Sequence, residues 1–198
     1  MSYCMTIIAI SIGYLLGSIP FALLLTRGRG IELRKVGSGN LGAANVLRTA
    51  GVSRAVAVML LDAAKGAVAV VAARLMSDDI GVATASGVGA IVGHVYPAWL
   101  GFRGGKGVAA SAGVFAVLAP SATAIAALVF LGITFVTRFI SAGSIAGALA
   151  LAVAAAAGSV PGPVVAGTLL AAAIVIYRHR ENVSRLFAGT ERRIGLRL

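Results

Sequence analysis

Charged residues are spaced so that they cut the chain into long apolar stretches. None falls within 1–26, 80–102, 107–137 or 139–177, and 55–73 is interrupted only by Asp62 and Lys65. A bilayer crossing takes about 20 apolar residues in a helix. Each of 1–26, 55–73 and 80–102 therefore predicts one spanning helix. The 39 residues of 139–177 predict two, separated by the turn residues Gly158-Ser159-Val160-Pro161-Gly162-Pro163. As one helix, 107–137 would be about 46 Å long against roughly 30 Å of hydrocarbon. Pro120 interrupts it, which predicts two shorter helices over about 107–118 and 120–137.

Composition narrows the class. Of the 198 residues, 59% are apolar and 12% charged, with mean hydropathy +0.99 and net charge +11. A soluble domain carries about 25% charged residues, so this chain lacks the polar surface of a cytosolic globule. The charge balance is too embedded in apolar sequence for a nucleic-acid-binding module and fits an integral membrane protein with basic loops. No basic residue precedes the first apolar run, whereas Arg27, Arg29, Arg34 and Lys35 follow it. That order reads as a retained transmembrane helix rather than a cleaved secretory signal. The lone Cys4 forbids an internal disulfide.

The basic residues also choose the span count. With seven helices and the N-terminus outside, segments 26–54, 101–106, 138–140 and 178–198 face the cytoplasm and hold 15 of the 17 Lys and Arg. A single helix over 107–137 would instead put Arg138 and the six basic residues of the tail outside, against the positive-inside rule. The expectation is an all-α polytopic membrane protein of seven transmembrane helices, some short. Its C-terminus is cytoplasmic, and it forms a single domain over 1–198.

Three of the inner segments carry candidate chemistry. The first runs from Val36 to Arg48. Its glycines let a backbone approach a ligand, and a short helix over Leu41–Ala50 would place Asn45 and Arg48 on one face with Ser38 and Asn40 at its anion-favouring N-terminus. The second, Phe102-Arg103-Gly104-Gly105-Lys106-Gly107-Val108, sets amides, a helix start and an ammonium where a phosphate could sit. It lacks the Gly-x-x-x-x-Gly-Lys-Ser/Thr pattern of a nucleotide loop. In the third, Tyr177–Leu186, a helix continuing from the last span would put His179 and Asn182 on one face, with Arg178 and Arg185 bracketing Glu181. Taken singly, each segment also reads as an ordinary interfacial loop or anchor. All three fall on one side of the membrane, and together they are rich in cations and amides but poor in carboxylates. That set suits a phosphorylated substrate and offers no metal cluster.

Asp62 and Lys65, three residues apart in mid-span, read as an ion pair that fixes packing. His94 lies ahead of the glycine loop and either orients it or bonds a backbone carbonyl. Ser18 and Pro20 mark a bend in the first helix, and the many Ala and Gly elsewhere are close-packing residues.

Together, Gly-Ser-Gly-Asn-Leu-Gly-Ala-Ala-Asn-Val-Leu-Arg (37–48), Gly-His…Pro…Gly-Phe-Arg-Gly-Gly-Lys-Gly-Val-Ala (93–109) and Arg-His-Arg-Glu-Asn…Arg-Leu-Phe-Ala-Gly-Thr-Glu (178–191) resemble the three signature motifs of the bacterial acyl-phosphate:glycerol-3-phosphate acyltransferases, the PlsY family. Leu-Asp-Ala-Ala-Lys-Gly (61–66) fits as well. The resemblance implies a seven-helix enzyme of the bacterial cell membrane, with its active site facing the cytoplasm. It would move a fatty acyl group from acyl phosphate to the 1-hydroxyl of sn-glycerol 3-phosphate, giving lysophosphatidic acid and phosphate, the first step of phospholipid synthesis. No cofactor and no metal is implied. The implied partners are the two substrates, membrane lipids and the soluble enzyme that makes acyl phosphate. By the same resemblance Ser38, Arg48, His179 and Asn182 serve catalysis. Asn40, Asn45, Gly104, Gly105, Lys106 and Gly107 bind substrate, and Glu181 maintains integrity. Ala44 and Ala110 stand where Thr is usual, and Arg103 where Lys is frequent. The His-x-x-x-x-Asp pattern of acyl-CoA-type enzymes is absent from both histidines.

An acyl phosphate is already activated, so the protein has mainly to position two anions and stabilise developing charge. Either His179 or the leaving phosphate takes the hydroxyl proton, and Ser38 as a covalent nucleophile would need a base brought to it in space. A permease for organic phosphates would account for the spans and cations, but it would place its polar motifs at the midplane. A CDP-alcohol transferase would need clustered metal-binding aspartates.

Overall fold

The computed structural model describes residues 2–28 and 30–195. Its helices are α1 Ser2–Gly17, α2 Phe21–Arg27, α3 Ala43–Ala50, α4 Val52–Met76, α5 Ile80–Val95, α6 Val108–Leu118, α7 Pro120–Thr137, α8 Ile140–Ala157, α9 Gly162–Arg178 and α10 Arg180–Phe187, with no strand among the described residues. Five stretches are long and apolar enough to cross a bilayer: Tyr3–Arg27, α4, Ile80–Leu100, α7 and α8. The pair α9 and α10, bent by 55°, makes a sixth if taken as one span, and α6 is a shorter apolar helix. The breaks fall where turn chemistry put them: at Ser18–Pro20, before Pro120, and over 158–161. The chain divides into two compact units, 1–118 and 119–198.

In the first unit, α1 and α5 pack backbone to backbone. A Cβ on Gly13 would lie 2.1 Å from the Ser86 carbonyl oxygen, one on Gly17 2.0 Å from that of Ala90, and one on Gly93 2.2 Å from that of Tyr14. The same device joins α4 to α6, where a Cβ on Gly113 would meet the Ala63 oxygen at 1.8 Å. Small residues at helix contacts are how apolar helices associate closely when lipid removes the hydrophobic drive between them.

Breaking the first span exposes carbonyls that lipid cannot satisfy. Side chains supply the partners. The Trp99 indole Nε1–H donates to the Ser18 oxygen at 3.0 Å, and the Lys65 ammonium donates to that of Ile19 at 2.8 Å. Tyr14 bridges α1 to the loop after α5, donating its hydroxyl to the Tyr96 oxygen at 2.9 Å and accepting from the Ala98 amide at 3.0 Å.

In the second unit, α8 packs on both α7 and α9. The tail returns to the α7–α8 turn: the Ile194 amide donates to the Arg138 carbonyl at 2.8 Å, and the Arg193 guanidinium lies 5.1 Å from the centre of the Phe139 ring.

Candidate functional site

The loop between α2 and α3 is shaped by Asn45. Its Oδ1 accepts the Ser38 backbone N–H at 2.8 Å, and its Nδ2 donates to the carbonyls of Leu33 and Val36 at 3.1 and 3.2 Å. The loop can turn back on this one side chain because Gly37 and Gly39 take left-handed conformations, φ +62° and +68°. Asn45 is buried, Asn40 is half-buried, and Ser38 and Arg48 are exposed. Asn45, counted among substrate-binding residues, has both amide hydrogens committed to bracing the loop that presents Ser38. The short helix begins at Ala43 with Gly42 before it and no side-chain capping bond, so neither Ser38 nor Asn40 caps it.

The glycine loop folds back on the end of α5. The Gly104 amide donates to the Val95 oxygen and the Gly105 amide to the His94 oxygen, each at 3.0 Å. Gly104, Gly105 and Gly107 are buried and Lys106 half-buried, and the segment leads directly into α6. Arg34 ties the two loops together, Nη2 donating to the carbonyls of Leu100 at 2.8 Å and Arg103 at 3.4 Å.

Behind the glycine loop lies a buried charged cluster. Asp62 Oδ1 is 2.7 Å from Lys65 Nζ and 3.5 Å from His94 Nδ1, and Lys65 also lies 5.7 Å from the centre of the Phe21 ring. The ion pair expected from the spacing is present, with the α1–α2 break and His94 as additional partners. Ser18, Pro20, Asp62, Lys65, His94 and Gly105 line a small cleft.

In the second unit, α9 ends at Arg178, and His179 sits at the 55° bend before α10. The third motif is thus two helices meeting at its histidine, where the sequence predicted one. His179 is buried, and its Nδ1–H donates to the Val175 carbonyl at 2.8 Å, which puts the lone pair of the neutral ring on Nε2. Asn182 is also buried, and its Nδ2 donates to Glu191 Oε1 at 2.7 Å. The same oxygen accepts from Ser141 Oγ at 2.9 Å, while Oε2 takes Arg185 Nε at 2.8 Å.

Glu191 therefore makes the pairing with Arg185 that the sequence predicted for Glu181. Glu181 is exposed, and Arg185 pairs with Glu191 instead. Burial pushes the Glu191 carboxyl up. The hydrogen bonds from Asn182, Arg185 and Ser141, with the arginine's charge, outweigh that and hold it below the usual carboxylate range. The sequence signal that could have found it is Gly189, a left-handed turn just past α10 that sends the chain back, φ +69°.

The chain as a whole is similar to known proteins. The family described as Glycerol-3-phosphate acyltransferase matches residues 7–189. A "Glycerol-3-phosphate acyltransferase" of Mesorhizobium japonicum is 45% identical over 190 residues, covering 96% of both chains. A crystal structure of PlsY, an integral membrane glycerol 3-phosphate acyltransferase in its glycerol 3-phosphate form, superposes with a TM-score of 0.91 at 38% identity and covers 96% of each chain. Its lysophosphatidic acid form gives 0.89 at 37% identity, covering 96% of this chain and 95% of the other.

Proposed function

The chain belongs to the glycerol-3-phosphate acyltransferase family, and we propose that this membrane acyltransferase takes its acyl group from an acyl phosphate and gives it to the 1-hydroxyl of glycerol 3-phosphate. The products are lysophosphatidic acid and inorganic phosphate, and the reaction is the first step of bacterial phospholipid synthesis. The solved relative is named for glycerol 3-phosphate and lysophosphatidic acid forms, the acceptor and product of this transfer.

The observation that carries the reading is the glycine loop. Its buried backbone at Gly104, Gly105 and Gly107 brings Lys106 to the start of α6, tied through Arg34 to the loop presenting Ser38. Amides, an ammonium and a helix start make a phosphate site. Lys106 and Arg48 neutralise phosphate groups, Ser38 and Asn40 bond the reacting groups, and Asn182 aligns the acceptor. The acceptor oxygen attacks the carbonyl carbon, and the bond from that carbon to the phosphate oxygen breaks, its electron pair leaving with phosphate. The hydroxyl proton passes to His179 Nε2 or to the departing phosphate.

The whole chain, 1–198, acts as one domain of seven spans in the bacterial inner membrane. Its N-terminus is outside and its site faces the cytoplasm, where a soluble enzyme supplies acyl phosphate. The basic inner segments support this orientation.

The test is purified protein given acyl phosphate and glycerol 3-phosphate. Wild type releases one phosphate per lysophosphatidic acid formed, while Arg48→Ala and His179→Ala each lose about 100-fold or more. Equal turnover from acyl-CoA would overturn the donor assignment, and an acyl-enzyme burst would overturn direct transfer.

A further inference from the structure

The glycine loop is seated on a side chain that the transfer itself does not use. A Cβ on Gly105 would lie 2.1 Å from His94 Nε2, 2.7 Å from Cε1 and 3.0 Å from Cδ2, so the loop rests on the edge of this imidazole. The ring cannot swing away freely. It is buried, its Nδ1 faces Asp62 Oδ1 at 3.5 Å, and Asp62 is held in turn by Lys65, which is anchored on the Ile19 carbonyl. The adjacent glycine meets a different obstacle: a Cβ on Gly104 would lie 2.1 Å from the His94 main-chain oxygen and 2.7 Å from Pro97 Cδ.

We propose that His94, clamped by Asp62 and Lys65, is a positioning residue for glycerol 3-phosphate, setting the height of the Gly105–Lys106 backbone and hence the affinity of the phosphate site. This rests on the reading of the glycine loop as that site. A loop resting on a removable ring sags when the ring is cut away, and misplacement of a binding loop by about an ångström costs one to two orders of magnitude. The effect falls on KM for glycerol 3-phosphate more than on kcat, because the reacting hydroxyl and the acyl donor are handled by other residues.

The two glycines supply a paired test. Gly105→Ala collides with the imidazole and Gly104→Ala with main chain, so removing the ring relieves the first and not the second. In steady-state assays of the full-length protein, His94→Ala raises KM for glycerol 3-phosphate about tenfold with a smaller change in kcat. Gly105→Ala loses about 100-fold in kcat/KM, and His94→Ala/Gly105→Ala recovers at least tenfold of that loss. Gly104→Ala is not rescued by His94→Ala.

Should His94→Ala fail to fold, His94→Asn keeps a donor toward Asp62 while removing the Nε2 edge, and it gives the same rescue of Gly105→Ala. A double variant no better than Gly105→Ala, or equal rescue of both glycine variants, overturns the positioning role. Lys106→Ala separates this from the site assignment. If its KM for glycerol 3-phosphate is unchanged, the loop is not the phosphate site. If that KM rises while His94→Ala leaves it unmoved, the site stands and the role of His94 falls.

Discussion

Asn45 holds Ser38 in place by accepting its backbone N–H at 2.8 Å, across a loop that the same side chain braces at Leu33 and Val36. Asn45→Ala leaves one amide and two carbonyls without their partner. A fully buried unsatisfied group costs about 1–3 kcal/mol, and water reaches part of this loop, so the expected destabilisation is about 2 kcal/mol. Activity falls further than stability because the serine is released with the loop. Asn45→Asp keeps the acceptor but turns a carboxylate oxygen toward two carbonyls, so it costs at least as much as Asn45→Ala. Thermal unfolding in detergent beside kcat/KM checks this, and wild-type turnover in Asn45→Ala would remove Asn45 from the site.

Glu191 takes the pairing with Arg185 that helical spacing suggested for Glu181. Glu191→Gln turns one acceptor oxygen into a donor among the donors Ser141, Asn182 and Arg185, so at least one bond becomes a clash. The expected loss is about 2–3 kcal/mol, with activity lost through Asn182. Glu181→Gln, at an exposed position in the first turn of α10, stays within about 0.5 kcal/mol of wild type. Tm measurements on both variants decide it, and equal losses would contradict the assignment.

The same carboxylate predicts an acid limb. Its folded-state value lies below that of a free glutamate, so the unfolded chain binds the proton more readily. Stability from this group is therefore fully present above the ordinary glutamate value of about 4.3 and is lost as pH falls through the lower folded value. Between pH 6 and pH 3 the Tm gap between wild type and Glu191→Gln narrows. A gap constant across that range would mean that Glu191 is not held as a carboxylate.

Most of the helical plan was legible because its signals are local. Absence of charge marks a span, Pro120 and the 158–163 turn mark breaks, and the α1 break is written in Ser18 and Pro20. What was hidden depends on return contacts. The i−3 and i+4 spacing drew attention to Glu181, but the bend at His179 and the turn at Gly189 bring Glu191 back onto Asn182 instead. Asn45 reads like a ligand in sequence because an amide bracing an irregular loop leaves no periodicity. The contact of His94 with Gly105 joins residues 11 apart through a fold-back that only the loop's path reveals.

Helix packing predicts a contrast between glycines that look alike in sequence. Gly113→Ala drives a methyl group into the Ala63 carbonyl and forces α4 from α6, costing about 1–3 kcal/mol or more. Gly132→Ala, on α7, meets nothing within 4 Å and gains helix propensity, so it is neutral or stabilising by up to about 1 kcal/mol. Thermal unfolding of the two variants in one detergent reads the difference, and similar Tm shifts would mean that α4 and α6 are not in backbone contact.

The buried pair Asp62–Lys65 predicts that one substitution hurts more than two. Lys65→Met leaves the Asp62 carboxylate buried with only His94 beside it and strips the Ile19 carbonyl at the broken span of its donor. Asp62→Leu leaves the ammonium with that carbonyl but no counter-charge. Removing one partner of a buried pair costs about 3–5 kcal/mol, because the survivor stays desolvated and uncompensated. Replacing both with apolar side chains removes both charges from hydrocarbon and is commonly far milder. The double variant Asp62→Leu/Lys65→Met should therefore be more stable than either single variant while still below wild type, since the Ile19 carbonyl remains without its ammonium. Melting curves for the four proteins form a double-mutant cycle, and purely additive losses would show that the two charges do not act as a pair.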